Sequence, residues 1–151
     1  MGLFSNEEMA RRLENARRVM AEKNIDAIVI NSVHNTLYYS GFWMVPWGRY
    51  QGVVIPREGE PAVIAPRIEF DRPHRMSIFD DVRIYWDTQS PVDGIVKIIG
   101  DVLSERGIDS GVIGFEETFA SFEFHSKLQS GLTEFSLTPV AYDLMYSQKI
   151  K

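Results

Sequence analysis

The strongest constraint on the fold is a run of four consecutive apolar residues, Ala27–Ile30, three of which are β-branched. A strand with one face in water alternates apolar and polar residues, and this run has no polar position. It therefore predicts a central strand that is covered on both faces of a sheet. A helix is predicted before it, because Ser5 and Glu8 form a capping-box start. Apolar residues then recur at helical spacing until a predicted end near Lys23.

The rest of the chain alternates predicted strands with predicted helices. The turn Pro56–Pro61 joins two strands as a hairpin, and Pro91 and Gly107 bracket an amphipathic helix. Predicted strands are 27–30, 51–55, 62–65, 82–86, 112–115 and 134–138; predicted helices are 5–23, 34–39, 91–106, 118–129 and 141–149. This order predicts one three-layer α/β domain, with a central mixed sheet of about six strands and helices on both faces.

The composition is typical of one globular domain: 151 residues, 44% hydrophobic and 25% charged. No apolar stretch approaches the roughly 18 residues of a membrane span, and the N-terminus lacks a signal-peptide pattern. A net charge of -5 with scattered basic residues argues against nucleic acid as a partner. The chain has no cysteine, which excludes disulfides and thiol catalysis and fits a cytoplasmic location.

The sequence contains no complete active site. No glycine follows Ile30 in the turn that a dinucleotide-binding fingerprint would need. Phosphate-loop and nucleophile-elbow patterns are missing as well. The three histidines lie on separate predicted elements, and adjacent carboxylates point to opposite faces of a strand. We therefore predict no catalytic residue, no metal and no cofactor in this chain, with Asp80–Asp81 and Glu116–Glu117 in solvated turns and helix caps.

The segment Trp47-Gly48-Arg49 is the best candidate for a binding site. Glycine between an indole and a guanidinium lets the backbone turn sharply, so that both side chains face one space. Arginine binds a carboxylate through two parallel hydrogen bonds, and an indole face attracts a cation. Together they suit a small zwitterion, although an ordinary surface arginine would give the same pattern. The neighbouring aromatic residues Tyr38, Phe42 and Tyr50 are expected to cap the core.

Several segments resemble the N-terminal domain of the creatinase/prolidase/aminopeptidase P group. That group shows a Gly-Ile-Asp-Ala-like strand entry, as in Asn24–Ala27, and an Asn-x-x-Tyr-x-x-Gly-Phe turn, as in Asn35–Phe42. The tail Leu144–Lys151 is similar to the segment that enters the group's C-terminal pita-bread domain. The resemblance spans about Met9 to Lys151. It implies a ribonuclease H-like fold, with 1–151 as the N-terminal domain and the catalytic domain absent from this chain.

Within the group, the segment His34–Ser40 and the aromatic-Gly-Arg loop resemble the creatinases more than the peptidases. The resemblance implies a homodimeric amidinohydrolase that converts creatine and water to sarcosine and urea without a metal. It also implies that the loop completes the partner subunit's pocket, where Arg49 binds the substrate carboxylate and Trp47 walls the site. The creatinases carry phenylalanine at the position of Trp47, so we expect the larger indole to narrow the pocket.

Two alternatives stay open. The domain could belong to an Xaa-Pro dipeptidase or aminopeptidase, whose absent C-terminal domain would bind two divalent metals through two Asp, one His and two Glu. It could also be a non-catalytic binding or dimerisation module. In each case this chain alone is expected to show no turnover.

Overall fold

Six strands form one sheet in the computed structural model, which describes residues 3–46, 48–88 and 90–149. The strands are β1 Ala27–Ile30, β2 Gly52–Pro56, β3 Ala62–Pro66, β4 Asp81–Tyr85, β5 Gly111–Phe115 and β6 Phe135–Pro139. The α-helices are α1 Asn6–Lys23, α2 Val33–Ser40, α3 Arg72–Met76, α4 Pro91–Glu105, α5 Phe122–Gly131 and α6 Ala141–Ser147. A single turn of 3-10 helix, Arg67–Glu69, precedes α3.

The sheet is mixed, as predicted, with the strand order β4-β3-β2-β1-β5-β6. Strand β2 runs antiparallel to both of its neighbours, and the other pairs are parallel. Strand β1 lies between β2 and β5, and all four of its residues are buried. The prediction of a central strand covered on both faces is confirmed.

Helices cover both faces of the sheet and give the predicted three layers. Alternate residues of β1 point to opposite faces, so Ile28 and Ile30 enter one core while Ala27 and Val29 enter the other. The first core also takes side chains from α1, α2 and α6, and the second takes them from α4 and α5. None of the helices in the described ranges is long and apolar enough to cross a membrane.

Most predicted boundaries lie within one or two residues of those observed, and two predictions need correction. The helix predicted from Thr118 begins at Phe122, because the Ser121 hydroxyl accepts a hydrogen bond from the Phe124 N–H at 3.1 Å and caps the helix there. The 3-10 turn and α3 between β3 and β4 were not predicted. Both are too short to show an apolar period.

Gly52 marks a close approach between the backbones of β1 and β2. A Cβ at this position would lie 2.2 Å from the carbonyl oxygen of Ile30, which is a backbone atom of the central strand. Because that oxygen cannot rotate away, the strands would have to separate locally. The residue is therefore glycine for steric reasons, even though glycine is a weak strand former.

We predict that Gly52→Ala lowers the free energy of unfolding by about 2–3 kcal/mol through overpacking. The matched control is Gly94→Ala in α4, where the added Cβ meets nothing within 4 Å. That change should raise stability by up to about 1 kcal/mol, because alanine is the better helix former. Urea unfolding of the two variants tests this, and equal stability of Gly52→Ala and the parent chain would contradict it.

Candidate functional site

Most of the loops lie at one edge of the sheet. Because only β2 is antiparallel, the C-terminal ends of the other five strands meet at the same edge as the start of β2. We call this the carboxyl edge. Ligands of open α/β sheets bind outside the carboxyl ends of the strands. The loop that leads into β2 therefore delivers the predicted residue Arg49 to the edge where a binding site is expected.

The loop that carries Arg49 is closed at its base. The side-chain amide of Gln51, which is 3% exposed, both donates to the Met44 carbonyl and accepts from the Met44 N–H, each at 2.9 Å. At the tip the N–H of Arg49 donates to the Pro46 carbonyl at 2.5 Å, and Gly48 has a φ of 75°. Only glycine adopts such a φ without strain. The sharp turn expected from this glycine is confirmed.

Arg49 forms an ion pair with Asp87, which follows β4. The Nε atom donates to Oδ2 of Asp87 at 2.8 Å, and the two side chains are 36% and 47% exposed. The hydrogen bond and the charge of Asp87 raise the pKa of Arg49, so the guanidinium stays positive at every physiological pH. A pair this exposed contributes little to folding stability, and the arrangement presents a charged arginine to the surroundings.

Trp47, the other predicted binding residue, lies outside the described residues. Its convergence with Arg49 therefore stays a prediction. The expectation that neighbouring aromatic side chains cap the core is confirmed. Phe42 is fully buried, and the half-buried Tyr38 and Tyr50 pack against the two cores.

Two tyrosines attach the end of the loop to the rest of the domain. The hydroxyl of Tyr85, the last residue of β4, donates to the carbonyl of Tyr50 at 2.6 Å. Burial raises the pKa of Tyr85, so this hydroxyl remains a donor near neutral pH. The ring of Tyr50 stacks on Phe124 with centroids 5.3 Å apart, and its hydroxyl lies 2.5 Å from Oγ of Ser121. The backbone next to Arg49 is thus fixed from two sides.

Exposed aromatic side chains surround the carboxyl edge. Phe70, Trp86, Phe119 and Phe122 each expose more than half of their surface. The guanidinium of Arg67 lies 4.3 Å from the Phe70 ring centroid and 5.2 Å from that of Trp86. Exposed clusters of aromatic residues and arginine are typical of surfaces that contact another protein.

A buried carboxylate, Glu116, holds the turn between β1 and α2. Its side chain accepts hydrogen bonds from the N–H groups of Asn31 and Ser32 at 2.6 and 2.8 Å. It also accepts from the Ser32 hydroxyl at 2.7 Å and from the Asn35 amide at 2.8 Å. Glu116 is only 1% exposed, so these four donors replace its water shell.

The prediction that Asp80–Asp81 and Glu116–Glu117 lie in solvated turns or helix caps is therefore wrong for one member of each pair. Asp81 lies in β4, and its partly buried carboxylate pairs with Arg83 and Arg106. Glu117 does cap α6, where it accepts from the Ala141 N–H at 3.0 Å. Glu116 is buried, and sequence reasoning missed it because its donors lie more than 80 positions away. The polar turn after β1, with two amides and a serine, was the available signal. A buried turn of this kind needs an acceptor.

The described residues contain no group of three histidine, cysteine or carboxylate side chains placed to hold a metal ion. Each histidine instead packs against a phenylalanine: His34 on Phe119, His74 on Phe70 and His125 on Phe115.

We predict that Glu116→Gln lowers the free energy of unfolding by roughly 2–4 kcal/mol. The two carboxylate oxygens of Glu116 accept from four donors, whereas the glutamine amide has only one acceptor oxygen. The matched control is Glu134→Gln at an exposed position, which should change stability little. Thermal and urea unfolding compare the two. A Glu116→Gln variant as stable as the control would show that water or a rearranged turn replaces the carboxylate.

The geometry defines a class of protein: a three-layer α/β domain with an arginine-bearing loop at its carboxyl edge and no complete active site among its described residues. The model of the Creatinase/Prolidase N-terminal domain family matches residues 12–145. This chain belongs to that family.

Two curated relatives each match at least three quarters of this chain. Creatinase from Bacillus sp. (strain B-0618) is 32% identical over 148 residues, which make up 98% of this chain and 35% of that protein. Ectoine hydrolase from Halomonas elongata is 28% identical over 121 residues, 75% of this chain and 30% of that protein. The chain thus spans about a third of the length of these relatives.

Solved structures show the same fold. A proline dipeptidase from Streptococcus pneumoniae matches with a TM-score of 0.77 and 17% identity, covering 92% of this chain and 98% of that chain. The creatinase/prolidase N-terminal domain of an X-Pro dipeptidase from Streptococcus pyogenes gives a TM-score of 0.74 and 16% identity, covering 89% and 97%. Several of these structures contain the N-terminal domain alone.

Proposed function

We propose that this domain is the substrate-binding and dimerisation domain of a creatinase-like amidinohydrolase, which converts creatine and water to sarcosine and urea. The catalytic groups would lie in a C-terminal domain outside this chain. In the homodimer, the carboxyl-edge loop would enter the partner's active site and supply Arg49 to the substrate carboxylate. The observation that carries the proposal is the 32% identity with a creatinase over 98% of the chain.

The position of Arg49 supports the proposed role. The residue lies at the tip of a turn whose base is closed by Gln51, and its guanidinium is partly exposed and permanently charged. The neighbouring Tyr50 is attached to β4 and α5 through Tyr85 and Phe124. A rigid support of this kind keeps an arginine in place before the substrate arrives, which lowers the entropy cost of binding.

The chemistry of creatine fits an arginine anchor. Creatine has a carboxylate at one end and a guanidinium at the other, and two parallel hydrogen bonds from Arg49 would hold the carboxylate. Water then adds to the guanidino carbon, which becomes the urea carbon, while the sarcosine nitrogen leaves with a proton. Binding energy spent at the carboxylate orients the reacting carbon and so lowers the barrier.

The exposed aromatic side chains support the dimer. Phe70, Trp86, Phe119 and Phe122 lie around the same edge as Arg49, so a subunit that contacts them would also come close to the loop. We propose that this surface contacts the partner subunit.

The absence of cysteine, and the cytoplasmic peptidase from Mycobacterium tuberculosis among the structural relatives, support a cytoplasmic location.

The alternative is the N-terminal domain of a metal-dependent Xaa-Pro dipeptidase or aminopeptidase. The solved N-terminal domains of such enzymes share the fold, and dipeptides also carry a carboxylate that Arg49 could bind. In that enzyme the metals would be held by the C-terminal domain, and no residue described in this chain would take part in binding them.

We predict that Arg49→Ala in the full-length protein raises KM for creatine roughly 10- to 100-fold, as expected for the loss of hydrogen bonds between charged groups. Arg49→Lys should restore only part of the affinity, because an ammonium group cannot make the planar two-point contact. Steady-state kinetics of the three proteins measure this.

The matched control is Arg75→Ala. Arg75 forms an exposed ion pair with Asp71 at 2.7 Å through Nε and Oδ2, the same atoms that join Arg49 to Asp87. It should leave KM and kcat unchanged. Parent-like kinetics of Arg49→Ala would eliminate the proposed role of the arginine.

We predict that the full-length protein hydrolyses creatine after exhaustive dialysis against EDTA, because the proposed reaction uses side-chain acids and bases. The peptidase alternative predicts the opposite pattern: cleavage of an Xaa-Pro dipeptide that is lost on dialysis and restored by Mn²⁺ or Co²⁺. Urea release from creatine and proline release from the dipeptide are measured on the same preparation, and the second pattern would decide for the peptidase.

A further inference from the structure

Arg49 meets Asp87 across the end of an intervening strand. Arg49 precedes β2 and Asp87 follows β4, while β3 separates these two strands in the sheet. The pair therefore joins two loops that are 38 positions apart in the chain. Most of the domain's other arginine–carboxylate pairs on the surface are local, such as Arg75–Asp71, whose residues are four positions apart. A long-range contact of this kind determines where the guanidinium lies relative to the whole carboxyl edge.

The atom that Asp87 contacts determines which part of the guanidinium is available. An arginine presents five N–H donors in one plane, one on Nε and four on the two terminal nitrogens. Asp87 accepts from Nε at 2.8 Å. The edge formed by the two terminal nitrogens lies on the far side of the group from Nε. This edge matches a carboxylate in a two-point contact.

The same strand end also holds the backbone next to Arg49. Tyr85 lies two residues before Asp87, is 3% exposed, and donates from its hydroxyl to the Tyr50 carbonyl at 2.6 Å. The end of β4 thus makes one contact with the main chain of the loop and a second with the side chain of Arg49. One contact comes from the last residue of β4 and the other from the segment just after it, and together they restrict both the position and the rotation of the guanidinium.

We infer that Asp87 is a positioning residue that orients the Arg49 guanidinium, so that its two terminal nitrogens face the substrate carboxylate. This inference rests on the proposed function, since it requires that Arg49 binds a carboxylate. Asp87 does not touch the substrate; it acts through Arg49. The positive guanidinium lies between Asp87 at Nε and the ligand at the terminal nitrogens, so its charge offsets the repulsion between the two carboxylates.

A competing role makes the opposite prediction. If Asp87 only paired with Arg49 until the substrate displaced it, removal of the Asp87 carboxylate would strengthen substrate binding and lower KM. A positioning residue strengthens binding by its presence. The direction of the change in KM therefore separates the two roles.

The test measures creatine hydrolysis by the full-length protein with Asp87→Ala, Asp87→Asn, Arg49→Ala and the double variant Arg49→Ala/Asp87→Ala. We expect Asp87→Ala to raise KM about 3- to 10-fold, within the usual coupling between side chains in contact, with kcat changed less. Asp87→Asn should recover most of the affinity, because its amide oxygen still accepts from Nε. Asp71→Ala, which removes the matched exposed carboxylate of Arg75, should have no effect.

The double variant separates positioning from a general structural effect. If Asp87 acts through Arg49, adding Asp87→Ala to Arg49→Ala should change KM no further. Additive effects, or a lower KM in either Asp87 variant, would overturn the inference. An unchanged KM in Asp87→Ala would also overturn the inference. If Arg49→Ala still raises KM in that case, the proposed function stands. Parent-like kinetics of Arg49→Ala would overturn both.

Discussion

The carboxylate of Glu116 is the interaction on which the arrangement of the carboxyl edge depends. It lies at the end of β5, is almost fully buried, and accepts four hydrogen bonds from the turn after β1 and from α2. Without an acceptor there, the buried N–H of Ser32 and the part-buried N–H of Asn31 would both lose their partner. The network continues through Asn35, whose side-chain oxygen accepts from Gln148 at 2.8 Å just beyond α6. One charge thus joins β1, β5, α2 and the segment that follows α6.

The second determinant of the edge is the direction of β2. If β2 were parallel to its neighbours, its N-terminal loop would emerge at the opposite edge of the sheet. Its antiparallel direction brings Arg49 to the edge where the parallel strands end. There the loop contacts the end of β4 through Asp87 and Tyr85. A charged side chain on a supported loop, surrounded by exposed aromatic residues, is the arrangement from which we propose a binding site completed by a second protein surface.

The sequence predicted the elements with strong local signals. The apolar run of β1, the glycine-containing hairpin turn, and the serine cap of α1 each depend on residues within a few positions. The short helix α3 has no such signal, and the start of α5 was misplaced because Thr118 lies in a turn before the capping Ser121. For the proposed binding site, the sequence indicated the turn at Gly48 and the arginine after it. It did not indicate Asp87, which lies 38 positions away.

By itself, the sequence determined the fold class, because the alternation of apolar strands and amphipathic helices allows few arrangements other than a covered mixed sheet. It also determined the residue type in the loop before β2 and, through resemblance, the family. Only the tertiary structure decided what Arg49 and Glu116 contact. The physical reason is range: helix caps and strand patterns depend on neighbours in the chain, while a buried carboxylate or an oriented guanidinium depends on groups that the folded sheet brings together.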